Sequence, residues 1–181
     1  MSTEDIQRCY ERVAREPTDM VEHMGTIRHY SSQCRRIAEF GVYDCTSTWA
    51  LLAGLPERLT SYDIDRRAEV DEVEAVARDS SSTFQFVLAD TAAIEIEPVD
   101  LLFIDSMHTY EHLQKEFRLH ANKVAKFILL HDTTTFGQID QTGEGRGLWP
   151  AVEEFLAAHP EWQVRERFTN CHGLTVLERT C

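Results

Sequence analysis

The sequence has no apolar run long enough to span a membrane, no block of Lys or Arg, no Cys-x-x-Cys pair and no glycine-rich phosphate loop. Each absence removes a class of function. No window reaches the ~18 consecutive apolar residues of a spanning helix, and Met1 to Asp19 is charged and polar, without the apolar stretch of a signal peptide. The chain is therefore expected to be cytoplasmic, with no membrane partner. The 31 Asp+Glu outnumber the 18 Lys+Arg, a formal charge of −13 that repels a phosphate backbone, so nucleic acid is not an expected partner. Cysteines at 9, 34, 45, 171 and 181 are odd in number and unpaired in spacing, fitting neither a disulfide framework nor a four-thiolate zinc site. They read as reduced thiols. The dinucleotide fingerprint G-x-G-x-x-G, the G-x-x-x-x-G-K-[ST] loop and the G-x-S-x-G elbow are all missing.

What is present is an alternation of short β-rich runs with helical ones, in a length of 181 residues that suits one domain, 1–181, with 1–35 as a helical segment packing on its core. Strands are expected at Arg36–Gly41, Arg58–Asp63, Thr83–Ala89, Val99–Ile104 and Ala125–Leu130. Helices are expected at Ser47–Ala53, with Thr46 or Ser47 as its cap, and at Arg66–Arg78, Tyr110–Val124 and Leu148–His159. About ten residues separate the third strand from the fourth, too few for a full crossover helix, so a loop or single turn is expected there. Trp162–Phe168 and Gly173–Glu178 close the chain as a hairpin through Thr169–His172, and Asp132–Gly147 is a long polar loop that suits a lid. Trp49, Trp149, Trp162, His23, Met24 and Tyr30 read as packing residues. This order predicts an α/β sheet with helices on both faces.

In such sheets ligands bind outside the carboxyl ends of the strands, and here those ends are acidic. Glu39 and Gly41 follow the first strand, Asp63 and Asp65 the second, Asp90 the third, Asp105 and His108 the fourth, and His131 and Asp132 the fifth. A Glu-x-Gly turn lets backbone approach a ligand, and a carboxylate ending strand two suits the hydroxyls of a ribose. One glycine in Gly41–Thr46 gives a pyrophosphate no seat, so the expected cofactor is a nucleoside without one, as in S-adenosylmethionine (SAM). Asp105 with Asp132 reads as an oxygen-rich site for Mg²⁺ or Ca²⁺, and His108 beside it as a general base. His108-Thr-Tyr-Glu-His112 also matches H-x-x-E-H, which would make His108, Glu111 and His112 a zinc hydrolase site.

Five blocks carry a resemblance that spans nearly the whole chain: Glu39–Thr48, Ser61–Asp65, Asp100–Tyr110, Leu129–Thr134 and Asn170–Leu177. They resemble the class I SAM-dependent methyltransferases, and within them the small cephalosporin-hydroxylase-like and sugar O-methyltransferase-like group. The resemblance implies a Rossmann-like sheet of seven strands, the last antiparallel, and SAM touching Glu39, Gly41, Ser47, Thr48, Asp63, Asp90 and Asp105. It implies O-methylation of a hydroxyl on a small molecule or glycan, with His108 and His131 catalytic and Asp105, Asp132 and His131 around Mg²⁺ or another divalent cation. Cys45 stands where the family has a second glycine, and is expected to add bulk near the methionine end of the cofactor. A non-catalytic SAM-binding module is the alternative that this substitution suggests. Nothing in the sequence excludes a homo-oligomer.

Overall fold

The computed structural model describes residues 3–78 and 80–180; Cys181 lies outside them. Helices α1 (Thr3–Val13) and α2 (Met24–Ser31) precede strand β1 (Arg36–Phe40). There follow α3 (Thr46–Leu52), β2 (Arg58–Asp63), α4 (Glu69–Ala77), β3 (Thr83–Leu88), β4 (Val99–Ile104), α5 (Tyr110–His120), β5 (Val124–His131), α6 (Leu148–Ala158), β6 (Trp162–Phe168) and β7 (Leu174–Arg179). The strands form one sheet in the order β3-β2-β1-β4-β5-β7-β6. The pairs from β3 to β5 are parallel, and β7 lies antiparallel to both β5 and β6. This is the expected Rossmann-like methyltransferase sheet of seven strands with the last reversed.

Side-chain alternation divides the core in two. Ile37, Leu101, Phe103 and Leu129 point to the side carrying α1 to α4, with Ile6, Met24, Ile27, Trp49 and Val73. Ala38, Phe40, Leu102, Ile104 and Ile128 point to the side carrying α5 and α6, with Leu113, Phe117, Val152 and Phe155. No helix lies between β3 and β4, as the short spacing predicts. Among the described residues, no helix is long and apolar enough to cross a membrane.

Several element ends lie a residue or more from expectation, most at α5, α4 and the start of α3. Helix α5 stops at His120 because Val124 already pairs with Val99 in the sheet. Helix α4 starts at Glu69, and Arg66 lies ahead of it, its guanidinium paired with Asp71 and Glu74. Neither Thr46 nor Ser47 caps α3: Cys45 holds that position in a left-handed conformation (φ 64°), and the Thr46 N–H donates to Asp44 Oδ1 at 3.0 Å.

The strand order reverses between β1 and β4, so their carboxyl ends splay apart and open a crevice. Gly41 (φ +82°) turns the chain there, and a Cβ on it would lie 2.0 Å from the Asp105 carbonyl oxygen. Only glycine permits this approach.

Candidate active site

A pocket of about 640 Å³ occupies the crevice, a size within the usual range for small-molecule sites. Gly41, Ser47, Asp63, Asp90, Asp105, His108 and Asp132 line it, as do two exposed apolar side chains, Ile64 and Met107. Asp63 organises the first turn: its Oδ2 accepts the N–H groups of Val42 (2.7 Å) and Tyr43 (3.3 Å), and its Oδ1 accepts that of Asp65 (3.0 Å). Asp90, just after β3, lines the pocket, and its Oδ1 accepts the Ala92 N–H at 2.8 Å.

Glu39 and Thr48 are expected to touch the cofactor, and neither lines the pocket. Glu39 shares its side of β1 with Ile37, so its carboxylate points under α3 and is fully buried. It accepts the hydroxyls of Ser47 (2.6 Å), Thr48 (2.8 Å) and Ser61. Burial pushes its pKa up to about 7 against the pull of these three donors. These bonds tie β1 to α3 and β2, and of the three hydroxyl residues only Ser47 also reaches the pocket.

Cys45 does not line the pocket either. Its side chain is 0% exposed and belongs to the core cluster on the α1–α4 side. The left-handed backbone is where a second glycine would be at ease, and here the cysteine turns its sulfur inward.

Beside this cradle lies the reactive-looking end. His108 Nε2 sits 3.1 Å from Asp105 Oδ1 and 3.0 Å from Asp132 Oδ2, and its ring stacks on Phe136 at 5.0 Å. His131, the last residue of β5, lies behind Asp105 and does not line the pocket, with Nδ1 3.3 Å from Asp105 Oδ1 and Nε2 3.2 Å from the Cys171 carbonyl. A carbonyl only accepts, so Nε2 of His131 donates. Burial works against charge on both rings, yet Asp105 and Asp132 outweigh it: His108 is raised, and His131 reaches about 9. Burial likewise opposes ionisation of Asp105, but bonds to both imidazoles hold its carboxyl well below the usual range. Burial pushes Asp132 up.

Asp105, His131 and Asp132 each present one ligand atom within 4.8 Å of the others. Two carboxylates and an imidazole are a fitting donor set for a divalent metal, and the nitrogen favours Mn²⁺, Fe²⁺, Co²⁺ or Zn²⁺ over an all-oxygen preference for Mg²⁺. The H-x-x-E-H residues are not brought together. His108 faces Asp105 and Asp132, whereas His112 lies against Glu116 (3.1 Å), Glu111 is exposed, and the three form no metal-holding group among the described residues.

Several residues of the site carry no sequence signal of their own. Glu116, fully buried on α5, accepts from Thr91 (2.6 Å) and Ser106 (2.7 Å) and thereby joins the ends of β3 and β4. Asp19 and Met20 reach the pocket from the segment between α1 and α2, and Gln141 from the loop before α6.

A sequence model for a methyltransferase domain matches residues 38–133, from β1 to just past β5. No curated protein matches the chain. Among solved structures, a Corynebacterium glutamicum protein superposes with a TM-score of 0.66 at 16% identity, covering 99% of this chain and 89% of that one. The O-methyltransferase from Bacillus cereus, in complex with S-adenosylhomocysteine (SAH), gives 0.66 at 14% identity over 98% and 90%. The O-methyltransferase TomG from Streptomyces achromogenes, in complex with SAM, gives 0.62 at 15% over 89% and 81%. At these identities the likeness is one of fold.

Proposed function

The chain belongs to the methyltransferase-domain family, and on that premise we propose that it transfers the methyl group of SAM to a hydroxyl of a small molecule or glycan. The observation that carries this reading is the convergence, at the switch between β1 and β4, of the Gly41 turn, Asp63 and the Asp105–His108–Asp132 cluster. SAM supplies a methyl on a sulfonium, which an acceptor oxygen takes in line as the carbon–sulfur bond breaks and SAH leaves. Gly41 and Asp63 would seat the adenosine, with Asp90 toward the base. His108 Nε2 takes the hydroxyl proton, and Asp105 and Asp132 stabilise the imidazolium that forms. Asp105, His131 and Asp132 would hold a divalent cation, whose chemistry is to lower the pKa of a bound hydroxyl.

The lining also bears on the acceptor. Asp19, Asp44, Asp63, Asp90, Asp105 and Asp132 all face the pocket, and its lining contains no Lys or Arg. That charge suits the cationic SAM and a neutral or amine-bearing acceptor, and disfavours phosphorylated ones and nucleic acid. The test is incubation with SAM and a panel of polyol, amino-sugar and phenolic acceptors, with methylated products read by mass spectrometry. Methyl ethers on neutral or cationic acceptors support the reading. Transfer confined to nitrogen, or to phosphorylated acceptors, contradicts it.

A further inference from the structure

Strand β3 is one edge of the sheet and pairs only with β2. The Thr83 N–H donates to the Glu57 carbonyl at 2.9 Å, and the Ala89 N–H to the Asp63 carbonyl at 2.8 Å. The register between these two bonds is unbroken, so strand alternation turns the N–H and C=O groups of Phe84, Phe86 and Leu88 outward, away from β2. None of these groups has a protein partner among the described residues.

The two edges of the sheet differ in how they are guarded. On the far edge, β6 carries Arg165, Glu166 and Arg167 and a register shift between Val164 and Glu166, devices that keep an open edge from recruiting a further strand. Strand β3 carries no charge, no proline and no shift. No helix between β3 and β4 shields it, and Leu88 is 64% exposed.

We propose that β3 is a docking edge for a second copy of this chain, the two β3 strands pairing antiparallel about a two-fold axis at Phe86. That register satisfies every outward group: Phe84 pairs with the second copy's Leu88, Phe86 with its own counterpart, and Leu88 with the second copy's Phe84. Residues directly opposite share a face, with Cβ atoms about 5 Å apart. The exposed Leu88 is then covered by an aromatic ring, on the face where Phe84 and Phe86 already pack against the α1–α4 core.

Charge selects the same occupant and the same direction. At the amino end of the edge, Arg36 and Arg58 stand against Glu97, and Glu57 is held by Arg35 at 2.6 Å. At the carboxyl end stand Asp63, Asp65 and Asp90, while Arg67 lies on Asp65 and Arg66 is held by Asp71 and Glu74. An antiparallel pair sets the basic end of each copy beside the acidic end of the other, twice over. In a chain of net charge −13, most other contacts between copies oppose like charges.

The test is sedimentation equilibrium of the full chain from micromolar to millimolar concentration. Wild type should reach twice the monomer mass, and Leu88→Glu, which sets a carboxylate against the second copy's Phe84, should stay at the monomer mass with the circular dichroism of wild type. A wild type that is monomeric throughout overturns the proposal, and so does a Leu88→Glu chain that dimerises as wild type does. A second measurement reads the register without that variant. Gln85 faces the second copy's Val87 with Cα atoms about 4.5 Å apart, within disulfide reach. Gln85→Cys chains mixed with Val87→Cys chains and oxidised should therefore join through the two introduced thiols, as read by mass spectrometry of the digest. A dimer that forms no such bridge contradicts the pairing.

Discussion

Glu39 Oε1 accepts the Ser47 hydroxyl at 2.6 Å, tying β1 to the first turn of α3 beneath the Gly41 loop. The carboxyl is buried, and its folded-state value of about 7 lies above the ordinary 4.5. Its contribution to stability is therefore fully present below about pH 4.5 and is lost as pH rises through about 7. Urea unfolding of wild type and Glu39→Gln across this range should show the wild-type advantage shrinking as pH rises, by about 3 kcal/mol. A difference that stays flat from acid to neutral pH would mean that the buried carboxyl does not titrate in this window.

Cys45 faces the core, so trimming it should cost stability and spare the pocket. Cys45→Ala is expected to lose about 1 kcal/mol in urea unfolding, with SAH affinity by calorimetry unchanged within about twofold. A tenfold gain in affinity would show that the sulfur intrudes on the cofactor after all.

Asp63 accepts three backbone N–H groups, two of them from the Gly41 loop. Asp63→Asn replaces one acceptor oxygen by a donor and should weaken SAH binding more than about tenfold, the effect of a lost charge-assisted hydrogen bond. Binding equal to wild type would remove Asp63 from the adenosine seat.

The metal reading is tested by thermal shift rather than turnover. A cation at 100 times its Kd stabilises by about 2.7 kcal/mol, and Mn²⁺ or Co²⁺ should act at lower concentration than Mg²⁺ because His131 offers nitrogen. Asp132 has φ +60°, which asparagine tolerates well, so Asp132→Asn should fold and lose the shift. The absence of a shift with every divalent cation in the wild type would show that these side chains serve without metal.

The framework was legible in the sequence because its buried strands are short apolar runs punctuated by turn residues. Val99–Ile104 falls where its apolar run places it, and Arg58–Asp63 and the largely exposed Trp162–Phe168, both of mixed composition, fall where the alternation of strands with helices places them. The acidic strand ends were visible for the same reason, since polar residues directly after apolar runs stand out. Direction was harder. Glu39 sits one residue from the crevice mouth, yet strand alternation sends it with Ile37 under α3, and a left-handed backbone at Cys45 turns the sulfur inward. Gln141 was hidden altogether, because nothing local in a polar loop reveals that its amide meets a histidine 33 residues earlier.

The central claim, that the crevice binds the adenosyl group of SAM, is tested most directly by isothermal titration with SAH, the product form that cannot turn over. Binding in the micromolar range, about −8 kcal/mol, weakened in Asp63→Asn, is the predicted result. No heat, together with no thermal shift up to millimolar SAH, would contradict the account.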